Sequence, residues 1–136
     1  MITASQAATA AITLSLALCA APVAAAEIST HILDLARGAG GAGVPVTLAR
    51  RDAAGSWIAV AQASTDANGR VRSFGPAESF APGTYRLQFD MTRYRAGPPA
   101  PFFPEIVIAF TVSDPAAHYH VPVAVSPFGY STYRGN

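Results

Sequence analysis

The sequence predicts an all-β domain, a sandwich of two sheets made from short strands. Segments that alternate apolar and polar residues at a period of two recur along the chain. Turn dipeptides and prolines separate these segments, and the helical signal is confined to about one turn. With 136 residues, of which 51% are hydrophobic, the chain has room for one domain with a core of ordinary size.

Residues 1–26 differ from the rest and are predicted to be a secretory signal peptide. They carry no charged side chain, are rich in Ala, Leu and Ile from Ala7 to Ala21, and end in an Ala-x-Ala cleavage site. The apolar run is short for a membrane span, although the missing Lys or Arg at its start leaves an uncleaved anchor as the alternative. Cleavage would remove Cys19, the only cysteine, so a periplasmic domain of residues 27–136 is expected to fold without disulfides.

Four strands are predicted in the first part of this domain. In the second of them, Val44, Val46 and Leu48 alternate with small or polar residues and are expected to face the core. An Asn-Gly dipeptide at residues 68–69 predicts a tight turn between the third and fourth strands. The four strands cover residues 28–35, 44–51, 57–64 and 70–74, and a glycine-rich loop covers residues 37–43.

Four further strands complete the predicted sandwich. Tyr85, Leu87 and Phe89 alternate with polar residues and are expected to face the core. A proline-rich segment limits any helix after this strand to about one turn, predicted at residues 92–96. A break at Pro127 makes the last two strands an antiparallel hairpin. The four strands cover residues 83–91, 105–112, 118–126 and 130–134.

The charge of the chain argues against two classes of partner. The formal net charge is +1, and the nine basic residues are all arginines, spread along the sequence. Nucleic-acid and anionic-membrane surfaces need clustered basic residues. We therefore expect a small molecule as the partner, with no nucleic acid and, after cleavage of the signal peptide, no membrane.

The strand at residues 118–126 has two different faces. Its odd-numbered positions carry Tyr119 and three valines, which are expected to be core. The other face carries His118 and His120, two residues apart. Such a pair suits a metal site as well as acid/base chemistry, so the residues alone leave both interpretations open.

Three blocks of sequence resemble the transthyretin-like 5-hydroxyisourate hydrolases. The end of the chain, YHVPVAVSPFGYSTYRGN, is similar to that family's YHVPLLLSPFGYSTYRGS. Residues 29–34, STHILD, resemble the family's STHVLD, and residues 65–70, TDANGR, resemble its TxxDGR. The chain departs from the family at Asn68, where Asp is usual, at Asn136, where Ser is usual, and at the Val-Ala-Val of residues 123–125. The resemblance covers essentially all of the predicted exported domain.

The resemblance implies a fold, an activity and an assembly. The fold is the transthyretin-like β-sandwich of two four-stranded sheets, with one short helical turn between the fifth and sixth strands. The activity is hydrolysis of 5-hydroxyisourate to 2-oxo-4-hydroxy-4-carboxy-5-ureidoimidazoline in urate degradation. The family is a dimer of dimers with sites along a central channel, so a homotetramer is expected.

The matching residues carry the expected catalytic site. Taken singly, His31 is a mid-strand histidine and Arg70 a surface arginine, and neither indicates a function. The resemblance implies that His120, with His31 as its partner, activates water, while Arg70 holds the substrate and stabilises negative charge. It requires no metal, no cofactor and no nucleophilic side chain. Which of the two histidines takes the proton is left open.

Four more residues are expected to bind the substrate together with His31 and Arg70. They are His118, Tyr133, Arg134 and Asn136, and the terminal carboxylate of Asn136 is expected to orient a histidine or the arginine. The alternative function is a carrier of a small hydrophobic ligand like transthyretin, which shares the sandwich but lacks the His, Arg and His set. An exported adhesion module is a third interpretation, and it accounts for none of the three blocks.

Overall fold

The computed structural model describes residues 27–75, 80–94 and 101–136, which fold into a two-layer β-sandwich. The strands in this part of the chain are β1 (Glu27–Asp34), β2 (Ala39–Gly40), β3 (Pro45–Arg51), β4 (Trp57–Ser64), β5 (Arg70–Val71), β6 (Gly83–Asp90), β7 (Glu105–Val112), β8 (His118–Ser126) and β9 (Gly129–Thr132).

Each layer is four strands wide. One layer has the order β4-β3-β6-β7, with antiparallel neighbours throughout. In the other layer β1 runs parallel to β8, and β8 pairs antiparallel with β9. The two-residue strands β2 and β5 pair with successive parts of the other edge of β1.

The core lies between the two layers and follows the predicted alternation. Tyr85, Leu87 and Phe89 of β6 are completely buried, as are Leu48 of β3 and Val123 of β8. Burying one such side chain stabilises the fold by about 1.5–3 kcal/mol. Because alternate positions of β1 and β8 are committed to this core, the positions between them face outward, and these carry the histidines.

The predicted all-β sandwich is confirmed, and each predicted strand has a counterpart. The largest differences are in β5, which has only two residues, and in β9, which ends at Thr132, two residues before its predicted end. The extra strand β2 lies in the segment predicted as a loop, whose glycines give no alternation to read.

Two predicted segments fall partly or wholly outside the described residues. Of the predicted helical turn at residues 92–96, residues 92–93 form a turn, and residues 95–96 lie outside the described part. The predicted signal peptide, residues 1–26, lies outside it as well. In the described part, no helix has the length and apolar character needed to cross a bilayer.

The turn before β5 delivers Arg70 to the edge of β1. The Asp66 carboxylate accepts hydrogen bonds from the backbone N–H of Asn68 at 2.8 Å and of Arg70 at 3.0 Å. Gly69 has φ of +78°, a conformation that disfavours other residues. Its carbonyl accepts the N–H of Ile32 at 2.8 Å, so the turn is fastened to β1.

We expect Gly69→Ala to lower the free energy of unfolding by roughly 2–4 kcal/mol, through strain at positive φ and a forced backbone shift. An added Cβ would lie 2.6 Å from the Ile32 carbonyl oxygen and 2.6 Å from the Gly41 nitrogen. Urea unfolding of the variant beside the wild type measures the loss.

The matched control is Gly38→Ala. Gly38 has φ of +62°, but no atom lies within 4 Å of its added Cβ. We expect a loss of only about 1–2 kcal/mol there, from the positive φ alone. Equal losses in the two variants would contradict the close packing of Gly69 against β1.

Candidate active site

The parallel register of β1 and β8 places the outward-facing residues of the two strands side by side. Ser29 lies opposite His120, and His31 lies opposite Pro122. On β1, Ile28, Thr30 and Ile32 are completely buried, and Ser29 and His31 alternate with them on the other face. The site therefore forms on the outer face of this sheet.

Arg70 reaches the same face from β5. It is the direct antiparallel partner of His31, and Val71 beside it pairs with Thr30 and packs in the core. The guanidinium is exposed at the edge of the sheet. Two histidine-bearing strands and one arginine thus converge from three separate segments of the chain.

His31 is held through its Nε2 atom. That atom lies 2.9 Å from the backbone carbonyl oxygen of Asn68. A carbonyl only accepts, so Nε2 carries a proton. The contact uses the backbone of Asn68, which explains how Asn replaces the usual Asp without loss of this bond. Partial burial, together with the nearby Arg70, lowers the pKa of His31, and the bond to Asn68 opposes this.

His120 is held through its Nδ1 atom and its backbone. The Ser29 hydroxyl lies 2.8 Å from Nδ1. Gly135 donates its N–H to the His120 carbonyl at 2.8 Å, and a Cβ on Gly135 would lie 2.6 Å from Cδ2 of the ring. Burial lowers the pKa of His120 below the ordinary 6.5, and the nearby Arg70, His118 and His31 lower it further.

His118 lies beside His120, with the ring centroids 6.3 Å apart and the planes at 23°. Its Nε2 is 3.2 Å from the Ser29 hydroxyl, and its Nδ1 is 3.4 Å from a carboxylate oxygen of Glu27. Ser29 is thus shared by two imidazoles, although only 5% of it is exposed. Sequence analysis missed Ser29. Its place two residues before His31 on one strand face was the available signal.

Two open cavities meet at Arg70. One, of about 210 Å³, is lined by Arg70, His118, His120 and Asn136. The other is lined by His31 and Arg70 with residues of the β1–β2 turn. Arg70 therefore stands between the two histidines that the sequence assigned to catalysis. The orienting role predicted for the Asn136 carboxylate stays a prediction.

Tyr133 and Arg134 line neither of these cavities. The Arg134 guanidinium lies 5.2 Å from the ring centroid of Tyr119, and Tyr133 is 56% exposed. Neither residue is placed at the site by the single chain, so their contact with substrate also stays a prediction.

The side chains at the site bear on whether it is a metal site or a site of acid/base chemistry. Over the ranges that the structure describes, no group of three or more His, Cys, Asp or Glu side chains is arranged to hold a metal ion. What the site does hold is imidazoles with lowered pKa beside a permanent cation. A neutral imidazole can take a proton from water, and a guanidinium can bind an oxyanion.

The sequence is similar to that of a known protein family over almost the whole of the described part. Residues 28–135 match the HIUase/Transthyretin family. The chain is 45% identical over 115 residues to the 5-hydroxyisourate hydrolase of Caulobacter vibrioides, a match that covers 80% of this chain and 97% of that protein.

Two solved structures share the fold. The 5-hydroxyisourate hydrolase of Klebsiella pneumoniae superposes with a TM-score of 0.69 at 34% identity, covering 82% of this chain and 99% of that one. Sea bream transthyretin in complex with thyroxine gives a TM-score of 0.74 at 27% identity, covering 80% and 94%. With this fold, the family match over almost all of the described residues and 45% identity to one member, the chain belongs to the HIUase/transthyretin family.

Proposed function

We propose that this chain hydrolyses 5-hydroxyisourate to 2-oxo-4-hydroxy-4-carboxy-5-ureidoimidazoline in the degradation of urate. The observation that carries the proposal is the convergence of His31, Arg70 and His120 on one sheet face, in a chain 45% identical to a protein with this activity. Mixing purified chain with freshly prepared 5-hydroxyisourate, and following its ultraviolet absorbance against the spontaneous decay, tests it.

His120 is the base in this proposal. Hydrolysis of a cyclic amide requires a water to lose a proton while its oxygen forms a bond to the carbonyl carbon. The lowered pKa keeps His120 neutral near pH 7, so it can accept that proton. His31 is the partner of His120 in this proposal, and its Nε2 proton is directed to the Asn68 carbonyl.

Arg70 stabilises the negative charge that develops on the carbonyl oxygen as water adds to the carbonyl carbon, before the C–N bond breaks. The carbonyl oxygen becomes an oxyanion, and a fixed guanidinium beside it lowers the energy of the transition state. The proton taken by His120 then passes to the departing ring nitrogen, which balances the reaction. Arg70 also favours the neutral forms of both histidines, so one cation serves two purposes.

The alternative function is a transthyretin-like carrier of a small hydrophobic ligand. The backbone does not separate the two, because TM-scores of 0.69 to the hydrolase and 0.74 to transthyretin are similar. The side chains separate them, since the cavity around His120 is lined by two imidazoles, two arginines and a serine. Such a lining favours a polar ring over a hydrophobic ligand.

We expect His120→Ala and Arg70→Ala each to lower the catalysed rate by at least about 10²-fold, the scale for loss of an acid/base or oxyanion group. Both side chains are on the outer face of the sheet, so folding should be nearly unchanged. Ultraviolet decay of 5-hydroxyisourate and thermal unfolding measure the two properties.

Arg51→Ala is the matched control, since Arg51 is an exposed arginine of the opposite sheet. It should leave the rate unchanged. A well-folded His120→Ala or Arg70→Ala variant with wild-type decay would remove that residue from the mechanism.

The rate should fall on the acid side as His120 protonates. Its pKa in the folded chain is lowered, so the fall is expected below pH 6.5. In Arg70→Met the cation is lost, so the pKa of His120 should rise and the fall in rate should occur at higher pH. Arg70→Lys keeps the charge and should leave the pH of this fall nearly unchanged. If the rate of Arg70→Met fell at the same pH as that of the wild type, the electrostatic role of Arg70 would be contradicted.

Chelation separates this mechanism from metal catalysis. Full activity is expected after exhaustive treatment with a chelator, because the proposed steps use only imidazole and guanidinium. Loss of activity in chelator that zinc restores would overturn the metal-free mechanism.

We also propose that the active form is a homotetramer with two-fold symmetry. The cavity around His120 is open to solvent in the single chain, and a second chain would exclude water from it. In support of this, Phe102 and Phe128 are 65% and 71% exposed, and their ring centroids are 6.0 Å apart. They lie beside the outer strands β7 and β9, and an exposed aromatic patch favours association.

Light scattering should therefore report four chains, and a Phe102→Glu/Phe128→Glu variant should give a smaller species. Ile58→Glu is the control, because Ile58 is also exposed but lies on β4 at the opposite end of its sheet. An active wild-type monomer would refute the assembly.

Export to the periplasm is proposed from the first 26 residues, whose apolar run and Ala-x-Ala end are typical of a cleaved signal. The mature chain should then begin at Glu27. Mass spectrometry of the native protein measures this, and a chain that begins at Met1 or at an acylated Cys19 would contradict it.

A further inference from the structure

Four side chains form a continuous line across the outer face of the sheet, from Glu27 through His118 and Ser29 to His120. The links are 3.4 Å from Glu27 to Nδ1 of His118, 3.2 Å from Nε2 of His118 to the Ser29 hydroxyl, and 2.8 Å from that hydroxyl to Nδ1 of His120. Glu27 and Ser29 belong to β1, and both histidines belong to β8. The parallel pairing of these strands holds the line together.

We propose that Glu27, His118 and Ser29 are positioning residues that hold His120 in the tautomer with its proton on Nδ1. The inference rests on the proposed function, in which His120 is the base. It gives His118 a task other than binding the substrate, and it gives Ser29 and Glu27 tasks that the sequence did not suggest.

The direction of the hydrogen bonds follows from the carboxylate at one end. The Glu27 carboxylate lies 3.4 Å from Nδ1 of His118, and a negative charge beside that nitrogen favours the tautomer with the proton on Nδ1. The Nε2 atom of His118 then has a lone pair and accepts the Ser29 proton. A hydroxyl has one proton, so the Ser29 oxygen is left to accept from Nδ1 of His120.

The consequence is a lone pair on Nε2 of His120. In a neutral imidazole, only one nitrogen carries a proton, and a partner on one nitrogen decides which. Over the described ranges, Nε2 of His120 has no hydrogen-bond partner, and the ring lines the cavity that it shares with Arg70. The opposite direction of the line would put a proton on Nε2 and leave no base in the cavity.

Ser29 is suited to this task by its burial. Only 5% of it is exposed, so its two hydrogen bonds are better shielded from water than the contact between Glu27 and His118. The link between Glu27 and His118 is weaker, because their side chains are 48% and 43% exposed. The removal of Ser29 should therefore have the larger effect.

The test is the tautomer itself, read by long-range proton–nitrogen NMR on the ¹⁵N-histidine-labelled protein above the pKa of His120. The chain has three histidines, so the spectrum holds three ring patterns, and the variants His31→Asn and His120→Ala assign them. We expect a proton on Nδ1 of His120 in the wild type and a mixture of tautomers in Ser29→Ala.

Kinetics on the same variants adds a second readout. Ser29→Ala should lower kcat about tenfold with KM nearly unchanged, because the fraction of correctly protonated base falls while substrate contacts remain. Ser29→Thr keeps the hydroxyl and should restore both kcat and the tautomer. Glu27→Ala should lower kcat only about two- to fivefold, because its contact with His118 is long and exposed. Ser64→Ala, in the opposite sheet, should change nothing.

Three outcomes would overturn the proposal. They are a proton on Nε2 of His120 in the wild type, an unchanged tautomer in Ser29→Ala, and a covalent adduct on Ser29 during turnover, which would make that hydroxyl a nucleophile. The NMR result needs no substrate, so it stands apart from the proposed function. A fully active His120→Ala variant would remove the base assignment, and the tautomer would still be measured independently.

Discussion

Eight consecutive residue pairs join β1 to β8 in parallel, from Glu27 opposite His118 to Asp34 opposite Val125. The candidate site depends on this register, because side chains alternate between the two faces of a sheet. A slip by one residue would turn His120 into the core and remove Ser29 from its ring. The buried residues Ile28, Ile32 and Val123 oppose such a slip, so the hydrophobic core sets the geometry of the polar face.

Arg70 places a fixed positive charge beside the histidines. Its strand has only two residues, yet the turn before it is fastened to β1 through Gly69, and its position opposite His31 is thereby fixed. A permanent cation between two imidazoles disfavours a proton on either ring. Burial, together with this cation, lowers the pKa of both histidines, so neutral imidazoles lie beside the guanidinium where negative charge will form.

The alternation of residues was enough to predict the sandwich, because core positions at a period of two are visible in one sequence. It was not enough to predict the site. The contact between Ser29 and His120 joins residues 91 positions apart, and no local pattern encodes a parallel register. The roles of His31, Arg70 and His120 came from resemblance, since each residue alone has an ordinary structural interpretation. The two-residue strand β2 lies in a glycine-rich run that gives no alternation.

The central claim is that Arg70 and His120 act on one transition state. A double-mutant cycle with Arg70→Ala and His120→Ala, followed in single turnover with protein in excess of 5-hydroxyisourate, tests it most directly. When two groups act as a unit, the effects of removing them are not additive. The double variant should therefore lose about as much rate as the more impaired of the two single variants. A loss equal to the product of the two single losses would mean that the residues act independently, and it would contradict this account.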